Sequence, residues 1–324
     1  MLLKPYAGEH CETVATGTLL SALGCDLSEP LLFGLGEGLG FVFLNLASLS
    51  LPFIGGRNKP FELTRKLCCN LGLACLEEET TSRRKAAARL QASLSQGTPV
   101  GLQVDCFHLP YFRQAPHFAG HFVAALQLQG DEVVVVDTLQ QGGLQRLSCA
   151  SLEQARFAGG PMSAKARAYT LHGAPTHPMA EALPRALRTN AQTYLTPAFS
   201  GMGATGIAKL ARSLPLWLSH AASPAADLRL AALLMEQGGT GGGLFRRLYR
   251  DCLDEAVGHL PTHAWVLRTA RDEFAQAAQC WSHIAQLLGQ AATDGRAQPL
   301  IEAAGVCQVI AQVETSAMQR LARL

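Results

Sequence analysis

Charge of one sign is nearly absent from the chain: Lys and Arg number 27 against 25 Asp and Glu, a formal net charge of +2 over 324 residues. With no long-range field to steer a nucleic acid or an anionic membrane surface, neither is expected as a partner, and partners must be recognised locally. No apolar run reaches the roughly 18 uninterrupted residues that a membrane-spanning helix needs. The opening Met1-Leu2-Leu3-Lys4-Pro5-Tyr6 lacks a basic segment followed by an apolar one, so a cytoplasmic protein is expected. The 10 cysteines, at 11, 25, 68, 69, 75, 106, 149, 252, 280 and 307, have neither the density nor the spacing of a disulfide framework and read as mostly buried, reduced thiols. Cys-x-x-Cys pairs are missing, and Cys68, Cys69 and Cys75 have no histidine at ligand spacing. Leu67, Cys68, Leu71 and Cys75 suit helix-to-strand packing, where a free cysteine acts as a small hydrophobe, so no metal is expected. Internal repeats and low-complexity segments are also lacking.

What is present is apolar side chain, 48% of residues, in a chain long enough for two domains. Residues 11–24 read as a helix, followed by a short one opening at Ser28-Glu29-Pro30. Gly34-Leu35-Gly36-Glu37-Gly38-Leu39-Gly40-Phe41 places four glycines in seven residues. No strand is expected ahead of it and no Gly-Lys-Ser/Thr closes it, so it reads as a close-approach loop beside the site rather than a phosphate loop. Glu37 is a candidate substrate contact there. Helices are expected at 61–71 and 82–95, and strands at 74–79, 100–105, 121–128, 133–137 and 168–171. From about residue 180 only helical spacing remains, at 183–193, 204–213, 225–238, 243–257, 264–288 and 300–324. The expected class is therefore α+β, a first domain of helix packed on antiparallel sheet over residues 1–175 and an all-helical domain over 176–324.

Cys11 stands where Gly8-Glu9-His10 meets the apolar-periodic stretch, at the N-terminus of the first helix. The helix dipole and the unpaired N–H groups of a first turn favour a thiolate at such a position. A thiolate nucleophile needs a base, and His121 opens a strand whose hairpin partner ends in Asp137, so base and orienting carboxylate can meet at the open end of the hairpin. Cys11, His121 and Asp137 form a candidate triad in the chain order of papain-like cysteine enzymes. His10, His108 and His117 compete as bases but open no such hairpin, and Asp105, which also ends an apolar strand, is kept as a residue behind the triad. The backbone N–H of Cys11 is the natural first oxyanion donor, with His10 and Thr13 as candidates for the second. Tyr111, after Leu109-Pro110, can donate a hydrogen bond to substrate or anchor a turn. Glu236, Thr240 and Arg246 flank the run Gly239-Thr240-Gly241-Gly242-Gly243. A glycine-capped turn between helices is the plainer reading, and a lid or substrate-binding edge, with Arg246 pairing Glu236 or a phosphate group, is the sharper one.

Several of these runs, in this order, resemble the butirosin biosynthesis protein H family: Gly8 to Thr13, Leu27 to Phe41, Val104-Asp105-Cys106-Phe107-His108-Leu109-Pro110-Tyr111, His121 and Val136-Asp137. Leu234-Met235-Glu236 and Gly239 to Tyr249 resemble the helical domain that commonly follows. The resemblance covers most of the chain. It implies a papain-like acyltransferase that takes an acyl group from the phosphopantetheine thioester of an acyl carrier protein and delivers it to a small amine, an aminoglycoside in the member that names the family. It also implies that the family's cysteine, histidine and aspartate correspond to Cys11, His121 and Asp137, and that phosphopantetheine arrives on the partner, leaving the chain with no cofactor of its own. Glu37 departs from the pattern, standing where relatives often carry glycine. Hydrolysis by the same triad and a non-catalytic binding lobe remain open as alternatives. The helical half has apolar surface enough for a homodimer.

Overall fold

The computed structural model describes residues 5–46, 50–113, 117–160, 162–236, 238 and 242–324. In chain order the elements are α1 (Cys11–Ala22), α2 (Glu29–Leu35), β1 (Leu39–Leu44), β2 (Phe53–Arg57), α3 (Glu62–Leu71), β3 (Ala74–Glu78), α4 (Arg83–Ser95), β4 (Val100–Val104), β5 (His121–Gln129), β6 (Glu132–Val136), β7 (Leu144–Ser148), α5 (Cys149–Phe157) and β8 (Ala168–His172). Helices alone follow: α6 (Met179–Leu195), α7 (Gly203–Ser213), α8 (Trp217–His220), α9 (Pro224–Glu236), α10 (Gly243–His259), α11 (Ala264–Asp294) and α12 (Gln298–Leu321). The class is α+β, antiparallel sheets with helices and then helices only. No described helix is long and apolar enough to cross a membrane.

The chain divides into two compact units, Met1–Leu32 with Pro60–Pro178, and Phe33–Lys59 with Met179–Leu324. The segment 33–59, which sequence reasoning kept in a first domain of 1–175, thus packs with the late helices. Its membership follows from tertiary bonds: Asn190 Nδ2 donates to Leu39 O (2.8 Å), and Phe43 N donates to Gly201 O (2.8 Å).

The first unit is built on a six-stranded antiparallel sheet in the order β3-β8-β4-β5-β6-β7. A core forms where α4 and α5 set Leu90, Leu94, Leu152 and Ala155 against Val100, Leu102, Val104, Val123, Ala125, Val133 and Val135. Alternate strand residues share a face, which is why this list steps by two along β4, β5 and β6. Helix α1 is buried along nearly its whole length, Glu12 to Leu20, and packs chiefly on β5. A helix buried all round must satisfy its polar side chains internally. Thr16 Oγ1 meets Thr64 Oγ1 and the Tyr169 hydroxyl, both at 2.9 Å. The Glu12 carboxylate accepts from Phe61 N (3.1 Å), Thr64 N (3.0 Å) and Thr64 Oγ1 (3.0 Å), capping α3 from α1. These bonds fix where α1 begins, and hence where Cys11 sits.

The second unit is helical apart from the β1–β2 antiparallel pair. Long helices α11 and α12 run against each other, with α10, α9 and α7 packed on them. At its centre Glu314 accepts from Arg246 Nε and Nη2 (both 2.8 Å), Trp281 Nε1 (2.8 Å) and the Tyr194 hydroxyl (2.7 Å). Arg246 and Glu314 are fully buried.

Candidate active site

His10 precedes α1 in extended conformation and gives the helix no side-chain cap. The lead-in is instead held from α2. Glu29 accepts from His10 N (2.8 Å) and Thr13 Oγ1 (2.7 Å) on one carboxylate oxygen and from Glu9 N (2.8 Å) on the other. Burial pushes the Glu29 carboxyl above its ordinary range, and the Thr13, Glu9 and His10 donors oppose that rise. The carboxylate comes so close that a Cβ on residue 8 would stand 2.8 Å from it, so a side chain there would displace Glu29 from these bonds. Gly8 O in turn accepts from Leu139 N (2.9 Å), which ties the approach to Cys11 to the segment just after Asp137.

His121 opens β5 opposite Val104, and Ala124 pairs with Val136. Carried on by one residue, that register sets Asp137 opposite Val123, on the same face as His121 and diagonal to it. His121 Nε2 and Asp137 Oδ2 are 2.8 Å apart, with the His121 side chain 8% exposed and that of Asp137 fully buried. Asp137 Oδ2 also accepts from the Tyr111 hydroxyl (2.9 Å), and Oδ1 accepts from Thr138 N (2.6 Å). Burial alone would lower the His121 pKa, but the Asp137 carboxylate, then the nearby Cys106 and Cys11 thiols, and the Asp137 hydrogen bond hold it well above the ordinary histidine value. Burial, reinforced by the same carboxylate, raises the Tyr111 phenol far out of reach, so it acts as a donor only. With Nε2 committed to Asp137, Nδ1 is the nitrogen left for proton exchange. The neighbouring thiols are Cys11, half-buried at the start of α1, and Cys106, buried just after β4.

The other sequence candidates divide sharply. Thr13 spends its hydroxyl on His10 O (2.8 Å) and Glu29, so it braces the turn. His10 is 3% exposed, with Nδ1 3.3 Å from Thr13 Oγ1. Tyr111, offered as a substrate contact, has its hydroxyl on Asp137 instead. Asp105 accepts from Phe107 N (3.0 Å) and Phe118 N (2.9 Å) on Oδ1 and meets His117 Nδ1 (2.9 Å) through Oδ2, a staple across residues 105–118. Burial would raise its carboxyl, but His117 and the two backbone donors outweigh it and keep it below the usual carboxylate range.

Arg246 is corrected. Its guanidinium is enclosed by Glu314 and by Gly56 O (3.1 Å), with no face left for a phosphate or for Glu236. Glu236 accepts from Gly243 N (3.2 Å) and Ser282 Oγ (3.0 Å), so its carboxylate is spent on the first turn of α10 and on α11. Thr240 lies outside the described residues, as do Gly239 and Gly241. Glu37 belongs to the second unit, with φ of 49°, in the left-handed region that favours glycine. A glycine would take up that backbone without strain. The expected channel-lining N–H groups of this run are spent on its own turn, Glu37 N on Gly34 O (3.0 Å) and Gly38 N on Phe33 O (2.9 Å).

Sequence reasoning passed over Glu29 and Glu12, whose partners are 16–20 and 49–52 residues away. The signal available was local: an acidic residue beginning α2, and one inside an otherwise apolar helix.

No curated protein matches the chain. Residues 150–321 match a domain of unknown function, DUF4872, and residues 10–138, which include the whole segment from Cys11 to Asp137, match the N-terminal domain of butirosin biosynthesis protein H. With both domains present in that order, the chain belongs to the butirosin biosynthesis protein H-like family.

Proposed function

We propose that the chain is a papain-like cysteine acyltransferase of natural-product biosynthesis, moving an acyl group from an acyl carrier protein thioester through a Cys11 acyl-enzyme to a small amine. The observation that carries this reading is the buried His121–Asp137 pair, 2.8 Å apart, with the thiol of Cys11 in its electrostatic neighbourhood. In this mechanism the Cys11 sulfur attacks the thioester carbonyl and the pantetheine thiolate leaves, taking a proton from the His121 imidazolium. Thiol–thioester exchange is close to energetically neutral, so the acyl group is stored rather than spent. The acceptor amine then attacks the Cys11 thioester, His121 Nδ1 takes the amine proton, and Cys11 departs as thiolate with the amide formed. Asp137 holds the imidazole by Nε2 throughout and stabilises its charged form. The N–H of Cys11, at the first turn of α1, is the oxyanion donor.

The test is intact-protein mass spectrometry of wild type and Cys11→Ala after mixing with acyl-loaded carrier proteins or acyl thioester mimics. The expected result is an acyl adduct on wild type alone, discharged by added amine to an amide. Discharge to the free acid regardless of amine would replace transfer by hydrolysis, and no adduct from any donor would end the acyl-enzyme reading.

A further inference from the structure

The staple at Asp105 has a second possible use, because the same short segment brings two imidazoles to it. Among the described residues, Asp105, His108 and His117 each offer a ligand atom, and these atoms all lie within 4.8 Å of one another. The first two sit three residues apart across the turn after β4, and His117 returns beside them just before β5. Asp105 is 1% exposed, and its Oδ1 is fixed by two backbone N–H groups, which aims Oδ2 outward at His117. Such outer bonds to a ligating carboxylate are what orient it for a metal. The His117 ring is stacked on Phe107, with centroids 4.0 Å apart, and the His108 ring lies 5.8 Å from it.

In a tetrahedral zinc site with bonds of about 2.0–2.1 Å, ligand atoms stand about 3.3 Å apart. Asp105 Oδ2 and His117 Nδ1, at 2.9 Å, are already near that separation, and rotation of the partly exposed His108 ring closes the third side. Two imidazole nitrogens and one carboxylate oxygen suit zinc, cobalt or nickel; magnesium and calcium prefer all-oxygen sets, and copper(I) prefers sulfur. We propose that Asp105, His108 and His117 bind one divalent late first-row transition-metal ion, of the zinc class, with water completing its coordination. On binding, the His117 N–H proton passes through solvent from Nδ1 to Nε2, freeing the Nδ1 lone pair, and the Asp105–His117 hydrogen bond is exchanged for two metal–ligand bonds. Because Phe118 O accepts from Cys106 N (3.2 Å) and His121 follows three residues later, the ion would brace the segment that delivers the base to its site.

The test titrates cobalt(II) into the full-length protein carrying Cys11→Ala and Cys69→Ser, which removes the half-buried Cys11 thiol and the exposed Cys69 thiol as competing ligands. Calorimetry and visible absorption should report one ion per chain, with low-coordinate cobalt bands and no thiolate-to-cobalt charge transfer. His108→Ala and His117→Ala should each weaken binding by at least ~10-fold while circular dichroism stays unchanged, the lower end of what loss of even an outer-shell partner costs. Thiolate charge transfer, an affinity unchanged from the parent protein in either histidine variant, or the absence of saturable binding would each overturn the assignment. None of these outcomes bears on the acyl-enzyme reading, which rests on Cys11 and His121.

Discussion

Replacing Asp137 by Asn alters the centre of the site by a single atom type, and the hydrogen bonds around it dictate the result. Asp137 receives two donors on Oδ2, from His121 and Tyr111, and one on Oδ1, from Thr138 N. An amide has one accepting oxygen and one donating nitrogen, so it cannot face all three. If its oxygen keeps Thr138, its NH2 faces His121, and the imidazole must present a lone pair at Nε2 and carry its proton on Nδ1. That tautomer cannot take a proton from Cys11 or from an amine. If the amide flips, its NH2 meets Thr138 N–H, and a buried donor is left unsatisfied at a cost of about 1–3 kcal/mol. Either arrangement also removes the charge that holds the His121 pKa high, while the burial that lowers it remains. The expected loss in the rate of acyl-adduct formation is about 1,000- to 10,000-fold, the scale of a wrong-tautomer substitution in a triad. Tyr111→Phe, which removes one donor and leaves two, should cost only a few-fold. Adduct formation is followed by intact mass against time, with urea unfolding to show that the variant is folded. A folded Asp137→Asn protein within ~10-fold of wild type would refute the assignment of His121 as a base oriented by Asp137.

Glu29→Ala strips acceptors from His10 N and Thr13 Oγ1 and should cost about 1–2 kcal/mol in urea unfolding, with slower iodoacetamide labelling of Cys11; unchanged labelling and stability would remove Glu29 from the support of the site. Arg246→Met leaves Glu314 charged and enclosed, and should destabilise by about 3–5 kcal/mol, whereas adding Glu314→Leu should recover only part of that loss, because Trp281 Nε1 and the Tyr194 hydroxyl then lose their buried acceptor. If the folded double variant lost acyl transfer, the structural role given to Arg246 would be wrong. The His121 pKa is higher folded than unfolded, so the pair with Asp137 contributes fully below about pH 6.5 and fades as pH rises through the folded value. The stability difference between wild type and His121→Gln should therefore be larger at pH 6 than at pH 10, and a difference that grew with pH would contradict that direction.

Much of the architecture was legible because its signals are periodic and local. The apolar stretch from Cys11, the paired runs around Gly130 and the helical spacing after residue 180 all correspond to elements at nearly the expected bounds. Strand β7, Leu144–Ser148, escaped because three of its four exposed or half-exposed positions are apolar or uncharged and its pattern does not alternate cleanly. Strand β1 was hidden by glycines that read as loop, and α5 by weak amphipathic spacing. The meeting of His121 and Asp137 was readable because a hairpin converts nearness in sequence into nearness in space. The occupations of Tyr111 and Arg246 were not, because their partners lie 26 and 68 residues away and nothing local distinguishes a tyrosine aimed at substrate from one aimed at a carboxylate.

The interleaving of the two compact units bears on how the chain is made. Gly56 O awaits Arg246, 190 residues downstream, and Leu39 O awaits Asn190, 151 residues downstream. At about 5–20 residues per second, the first of these partners emerges from the ribosome roughly 10–40 s after the glycine that needs it. Through that interval the β1–β2 pair is tethered at both ends to the first unit, so the early segment waits as an insertion in that unit until the late helices collect it. Cutting the chain after residue 178 would release the first unit with that hairpin still attached and stripped of its core, an aggregation hazard of its own making. The first unit is better isolated by removing 33–59 as well than by truncation after residue 178.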